Sequence, residues 1–85
     1  MPELVLYHAT WCPFCRAFLP VYRKLAKGRE VVLDDEADPN WNGIEVVPTV
    51  VAYENGKEAA RLEAGPGIGI SEADFVIWLK SLGKR

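Results

Sequence analysis

The segment Cys12-Pro13-Phe14-Cys15 lies between a strand pattern and a helix pattern, and it constrains this chain more than any other feature. The apolar run 4–7 before it predicts a buried strand, and apolar residues at helical spacing over 14–25 predict a helix after it. Pro13 suits the first turn of that helix. A helix N-terminus favours the thiolate form of a cysteine, so a pair at this junction can close into a disulfide and reopen. The pattern therefore indicates thiol–disulfide exchange.

Two other interpretations of the cysteine pair start from the same spacing. A closed structural zinc site needs about four ligands, and His8 is the only other strong candidate ligand in the chain. A purely structural disulfide would close a loop too small to constrain the unfolded chain much. Redox exchange is therefore favoured over both alternatives.

Length and composition indicate a single small domain spanning 1–85. The chain has 85 residues, of which 49% are hydrophobic, as in an ordinary globular protein. Its net charge of −2 and its lack of a basic patch argue against nucleic acid as a partner. It has no apolar run near the roughly 20 residues that span a membrane, and Met1-Pro2-Glu3 does not resemble the start of a signal peptide. We expect a cytoplasmic monomer, in which a cysteine pair is more often catalytic than structural.

Periodicity, caps and turns predict four strands, two main helices and one very short helix. Gly28 is predicted to end the first helix, with a kink at Pro20. The segment 31–33 is predicted to be a second buried strand, parallel to the first across the helical crossover. The acidic run 34–38 is interpreted as a solvated strand exit rather than a metal site. The remaining elements are a very short helix from Asp38-Pro39 to Gly43, strands at 49–53 and 58–63 joined by an Asn55-Gly56 turn, and a final helix capped by Ser71.

Several motifs resemble known redox proteins. The chain shares with thioredoxin the residues Trp11, Cys12, Cys15 and, five positions further on, Pro20. The segment 44–49 resembles the thioredoxin stretch that holds a cis proline, which implies a cis Val47–Pro48 bond. The Cys-Pro-aromatic-Cys motif and Tyr7 are instead similar to glutaredoxin. The chain thus resembles the thioredoxin-like superfamily over nearly its whole length. This implies an α/β fold with a central four-stranded mixed sheet flanked by helices, in the order β-α-β-α-β-β-α.

The two cysteines and the proline segment are expected to have distinct roles. Cys12, at the helix start, is expected to be the exposed attacking thiolate, and Cys15, one turn deeper, the resolving thiol. Pro48 is expected to face the pair, with backbone groups of Val47 free to bind an extended substrate. The expected substrate-binding residues are Trp11, Pro13, Phe14, Val47 and Pro48.

The three tryptophans and the single histidine have separate interpretations. Trp11 is either an apolar docking surface or a loop residue packed on the core, and the sequence favours neither. Trp41 and Trp78 are expected to be packing residues, and His8 a structural residue at the end of the first strand. No bound metal or cofactor is expected.

The expected activity is reduction of protein disulfides by a dithiol–disulfide oxidoreductase. Its partners would be disulfide-containing proteins and, as electron donor, a reductase or a low-molecular-weight thiol. A glutathione-dependent glutaredoxin is the nearest alternative, but Ala9 stands where glutaredoxins carry a glutathione-contacting lysine, so weak glutathione binding is expected. Leu6 stands where thioredoxins keep a buried aspartate. An alternative of another class is a metal or iron–sulfur module that uses cysteine pairs from two chains.

Overall fold

A computed structural model of the chain describes residues 2–65 and 67–82. The elements, in chain order, are β1 (Glu3–His8), α1 (Pro13–Leu25), β2 (Arg29–Val32), a 3₁₀ helix (Pro39–Trp41), β3 (Thr49–Glu54), β4 (Lys57–Glu63) and α2 (Glu72–Leu82). This is the predicted order, with the very short helix formed as a 3₁₀ turn. In the described part of the chain, no helix is long and apolar enough to cross a membrane.

The four strands form one mixed sheet in the order β2-β1-β3-β4. β1 and β2 are parallel, with Leu6 opposite Glu30, which is the pairing that a helical crossover such as α1 allows. β3 runs antiparallel to β1 and pairs Val51 with Val5, and β4 runs antiparallel to β3. β1 therefore lies inside the sheet, and the cysteine pair follows its carboxyl end.

Two local signals form the turn and the cap that the sequence predicts. Asn55 and Gly56 join β3 to β4 and have positive φ angles of 55° and 79°, as the central residues of a type I′ hairpin turn require. Ser71 caps α2, because its hydroxyl accepts a hydrogen bond from the Asp74 amide at 3.1 Å. Both predictions are confirmed. The sequence alone could indicate them because each depends on residues that are close along the chain.

Both helices pack on one face of the sheet around an apolar cluster. Its buried members are Leu6 of β1, Val50 of β3, Phe18 and Tyr22 of α1, and Phe75 of α2. The rings of Phe18 and Phe75 meet edge to face, with centroids 5.0 Å apart and ring planes at 80°. This cluster fixes α1 on the sheet, and it thereby fixes the position of the first helical turn that carries the cysteines.

The opposite face is covered by the loop between β2 and β3 rather than by a long helix. Leu33 and Ile44 of this loop form a second buried cluster with Val51 of β3, and Trp41 packs beside them. The indole N–H of Trp41 donates a hydrogen bond to the Asp35 carbonyl at 3.0 Å. Trp41 is thus a packing residue as predicted, and so is Trp78 in the cluster on the helical face.

The second strand differs from its prediction. β2 covers Arg29–Val32 rather than 31–33, and it is an edge strand of the sheet. Val32 is 46% exposed, and the fully buried residue of this segment, Leu33, comes just after the strand. A parallel strand with neighbours on both sides is buried on both faces, whereas β2 pairs with β1 alone.

The end of α1 also differs from its prediction. The helix continues through Pro20 to Leu25, and Lys27 rather than Gly28 takes the positive φ, at 52°. Gly28 is needed for another reason, because a Cβ there would lie 2.6 Å from the Leu4 carbonyl oxygen. The glycine allows the chain entering β2 to approach β1 closely.

Candidate active site

The start of α1 positions the cysteine pair. Cys12 is the N-cap of the helix, with an extended backbone (φ −91°, ψ 115°) and a sulfur that accepts a hydrogen bond from the Cys15 amide at 3.4 Å. Pro13 takes the first helical position, where a missing amide proton costs nothing. The Cys12 amide donates to the Ala9 carbonyl at 3.3 Å. A cysteine sulfur therefore does here what a side-chain oxygen does at most helix N-caps.

Both cysteines are free thiols, and they differ in exposure. Cys12 is 5% exposed and Cys15 is 1% exposed. Cys12 is thus the more accessible of the two, but it is not the openly exposed residue that the sequence predicts. The reason is the loop before β3, since Cys12, Cys15 and Ala9 cluster against Val47. The Cys12 thiol donates a hydrogen bond to the Val47 carbonyl, with 3.7 Å between sulfur and oxygen.

Burial raises the pKa of the Cys15 thiol to about 12. A backbone hydrogen bond with Ala9 opposes this effect, and the interactions with Cys12 add to it. At neutral pH Cys15 is therefore a neutral thiol, which attacks another sulfur only after a base has taken its proton. This protonation state suits a resolving role.

The segment before β3 packs against the cysteines. The Val47–Pro48 peptide bond is cis, as predicted. Pro48 is fully buried, and its carbonyl accepts a hydrogen bond from the Ala64 amide at 3.1 Å. The Thr49 hydroxyl donates to the Val46 carbonyl at 2.7 Å. In the described part of the chain, no group accepts a hydrogen bond from the amide of Val47, a residue that packs against the two cysteines.

Cys12 lies in the wall of a groove of about 300 Å³. Trp11 and Phe14 line it beside the cysteines, and the segments 45–47 and 64–65 line the facing side. Trp11 is 59% exposed, which favours a docking surface over a loop residue packed on the core. Pro13 is also exposed, but it is not among the described lining residues.

Six described lining residues of the groove are not predicted from the sequence, and three of these, Ala64, Gly65 and Gly67, follow β4. The other three are Trp41, Glu45 and Val46. They belong to the loop that covers the second face of the sheet, and only the fold brings them near Cys12. The indirect signal was the likeness of 44–49 to a thioredoxin segment, which indicated where the proline lies but not which neighbours accompany it.

His8 is buried near the end of β1 and is 6% exposed. Its Nε2 has no hydrogen-bond partner among the described residues and lies 3.8 Å from Oε1 of Glu30. Burial lowers the pKa of His8, while the charge of Glu30 acts in the opposite direction. His8 is therefore neutral at neutral pH.

The acidic run after β2 is tied to the loop before the cysteines. Asp34 accepts hydrogen bonds from the backbone amide of Thr10 at 2.7 Å and from its hydroxyl at 2.6 Å. These bonds lower the pKa of the Asp34 carboxyl. Over residues 2–65 and 67–82, no group of three or more histidine, cysteine or acidic side chains is arranged to hold a metal ion.

Comparison with known proteins identifies the family to which this chain belongs. A protein-family model described as Thioredoxin matches residues 1–73. The chain belongs to the thioredoxin family. Over 89 residues it is 35% identical to a protein disulfide-isomerase from Gallus gallus, covering 91% of this chain and 17% of that protein. Over 66 residues it is 30% identical to a thioredoxin from Rickettsia bellii (strain RML369-C), covering 68% of this chain and 63% of that protein.

This thioredoxin-family chain spans less than two thirds of the length of either curated relative. Among solved structures, it superposes on thioredoxin 1 from Thermosipho africanus TCF52B with a TM-score of 0.71. That match covers 96% of this chain and 94% of the other at 19% sequence identity. The likeness confirms the predicted thioredoxin-like fold.

Proposed function

We propose that this chain is a dithiol–disulfide oxidoreductase that reduces protein disulfides. The observation that carries the proposal is the position of two free thiols at the first turn of α1, packed against Val47 beside an open groove. The relatives named thioredoxin and protein disulfide-isomerase support the same class of chemistry.

Cys12 begins the reaction. Its thiolate attacks one sulfur of the substrate disulfide, so that a Cys12–substrate bond forms while the substrate S–S bond breaks. The first substrate sulfur leaves as a thiolate. The Cys15 amide donates to the Cys12 sulfur, and this donor, together with the helix N-terminus, stabilises negative charge at the attacking atom.

Cys15 completes the reaction. Its proton passes to the released substrate thiolate, which is a base formed within the site. The Cys15 sulfur then attacks Cys12, the Cys12–Cys15 bond forms, and the second substrate sulfur leaves and takes up the proton that Cys12 had lost. Two electrons and two protons have then moved from the protein dithiol to the substrate. An external thiol or a reductase restores the dithiol by the same exchange in reverse.

The groove binds an extended segment of the substrate. The Val47 amide, unpaired among the described residues, would pair with a substrate carbonyl, as in peptide recognition by strand addition. Trp11 and Phe14, 59% and 39% exposed, offer apolar contact on the other side of the thiols. Main-chain pairing of this kind accepts many different substrate sequences.

A glutathione-dependent glutaredoxin is a second candidate, which the Cys-Pro-Phe-Cys motif and Tyr7 favour. Ala9 offers no cation to a glutathione carboxylate, and a charge-assisted hydrogen bond contributes about 1.5–3 kcal/mol. We therefore expect a glutathione titration followed by NMR to show no saturation in the micromolar range. Micromolar saturation with shifts centred on Val47 and the 64–67 segment would favour the glutaredoxin function instead.

The test of the proposed function is a protein-disulfide reduction assay with two electron donors in parallel. One arm contains glutathione and its reductase, and the other contains thioredoxin reductase. The wild-type protein should turn over with at least one donor, and Cys12→Ser, checked for native circular dichroism, should be inactive with both. Absence of turnover in both arms, or full activity of Cys12→Ser, would contradict the proposal.

A further inference from the structure

The groove beside Cys12 contains one charged side chain among its described lining residues, Glu45. The other described lining residues contribute apolar side chains, backbone atoms or the Cys12 thiol. Glu45 is exposed, and no basic side chain among the described residues forms an ion pair with it. An unpaired carboxylate in an otherwise apolar groove attracts cationic groups of a bound substrate and repels anionic ones.

The surroundings of Glu45 add charge of the same sign. The segment 31–48 carries acidic residues and no lysine or arginine, and its acidic members are Asp34, Asp35, Glu36, Asp38 and Glu45. Three hydrogen bonds help to position this segment beside the groove. Thr10, next to Trp11, donates to Asp34, and Trp41 donates to the Asp35 carbonyl. The backbone that carries these acidic residues therefore lies next to Trp41, which lines the groove.

Nearby cations do not cancel this charge. The Arg61 guanidinium reaches the Gly43 carbonyl at 2.8 Å, but it also pairs with the two carboxylates of Glu58 and Glu63. Arg16 lies in the first turn of α1, and it is exposed but not among the described lining residues. The groove lining and the adjoining segment 31–48 therefore carry a net negative charge.

We propose that Glu45 makes this site select disulfides flanked by cationic residues over disulfides flanked by anionic ones. The inference rests on the proposed function and names its substrate class. Attraction between Glu45 and a substrate lysine or arginine raises the concentration of that disulfide beside Cys12, and repulsion lowers that of an acidic disulfide. Glutathione disulfide carries net negative charge and belongs to the disfavoured class.

The experiment uses two peptides of equal length, each closed by one disulfide. They differ only in carrying Lys or Glu on both sides of the cysteines. Reduced protein is mixed with each peptide in single-turnover reactions, quenched with acid and analysed by mass spectrometry. At low salt the Lys peptide should react about 25-fold faster than the Glu peptide, because one unit charge roughly 4 Å away in water changes each rate about fivefold, in opposite directions. The ratio should fall towards one at about 1 M salt, where the Debye length is about 3 Å.

Three variants assign the preference to Glu45. Glu45→Gln should remove most of the difference between the two rates, and Glu45→Lys should shift the ratio further towards the Glu peptide. Glu54→Gln, which removes an exposed carboxylate at the hairpin end of β3, should keep the wild-type ratio. Equal rates in the wild-type protein, or a preference that Glu45→Gln leaves undiminished, would overturn the inference while leaving the proposed function intact. Reduction of neither peptide would overturn the proposed function and this inference with it.

Discussion

Cys15 should be almost inert towards alkylation while the protein is folded. The perturbation that isolates it is Cys12→Ser, because the chain has two cysteines and this variant leaves Cys15 as the only thiol. The thiolate is the form that reacts with iodoacetamide. The rate of labelling therefore reports the thiolate fraction of Cys15, and with it how far the fold raises the pKa of this thiol.

The magnitude follows from the protonation state. With a pKa of about 12, the thiolate fraction of Cys15 at pH 8 is about one part in ten thousand, whereas a free cysteine of pKa ≈ 8.5 is about one quarter ionised. The folded variant should therefore react roughly two-thousandfold slower than the same variant unfolded in denaturant. Cys12→Ser removes the contributions of the neighbouring thiol to this shift, but burial, the largest cause, stays.

The assay compares pseudo-first-order labelling rates of the Cys12→Ser variant with and without denaturant, followed by intact mass. The Cys15→Ser variant serves as the matched control, since its remaining thiol lies in the groove wall and should be labelled much faster than Cys15 in the native state. Native labelling of Cys15 within tenfold of the unfolded rate would refute the account of a buried, protonated resolving thiol, provided that circular dichroism shows the variant folded.

Three further predictions concern stability. Tyr22→Phe removes the hydroxyl that donates to the Arg29 carbonyl at 2.8 Å and should lower the free energy of unfolding by about 1–2 kcal/mol, measured by urea denaturation; an unchanged midpoint would contradict this. Ser71→Ala removes the α2 cap and should cost about 1 kcal/mol in the same assay, so a gain in stability would be inconsistent with the cap. Burial lowers the pKa of folded His8, so the unfolded chain binds its proton first as pH falls below about 6.5. The wild-type protein should therefore lose more stability between pH 7.5 and 5.5 than His8→Gln does, and equal losses would show that His8 does not titrate differently on folding.

Local sequence signals predicted those parts of the fold that depend on neighbouring residues. Pro13 after Cys12 indicated where α1 begins, and Asn55-Gly56 indicated the hairpin. The apolar residues Val31 and Val32 led to the prediction of a buried strand at 31–33. This was wrong because β2 is an edge strand, with a partner on one side only. The sequence pattern does not show that β2 lies at the edge of the sheet, which is a property of the whole topology.

In the active site, too, the sequence predicted some features, and others depend on how distant segments pack. The positions of Cys12 and Cys15 follow from their spacing and from the helix start, and the cis bond before Pro48 was indicated by the likeness of its segment to thioredoxin. Glu45 and Trp41 reach the groove only through the packing of the 33–48 loop on the sheet. The low exposure of Cys12 has the same origin, since the contact with Val47 joins segments far apart in the sequence.

The central claim is that Cys12 attacks the substrate and Cys15 releases it. The most direct measurement is the intact mass of Cys15→Ser after incubation with a disulfide-bridged peptide. The account predicts a stable adduct of one peptide on Cys12, located by proteolysis and removed by dithiothreitol, while Cys12→Ser forms none. An adduct that forms on Cys12→Ser instead, or a Cys15→Ser variant that turns over without trapping substrate, would contradict it.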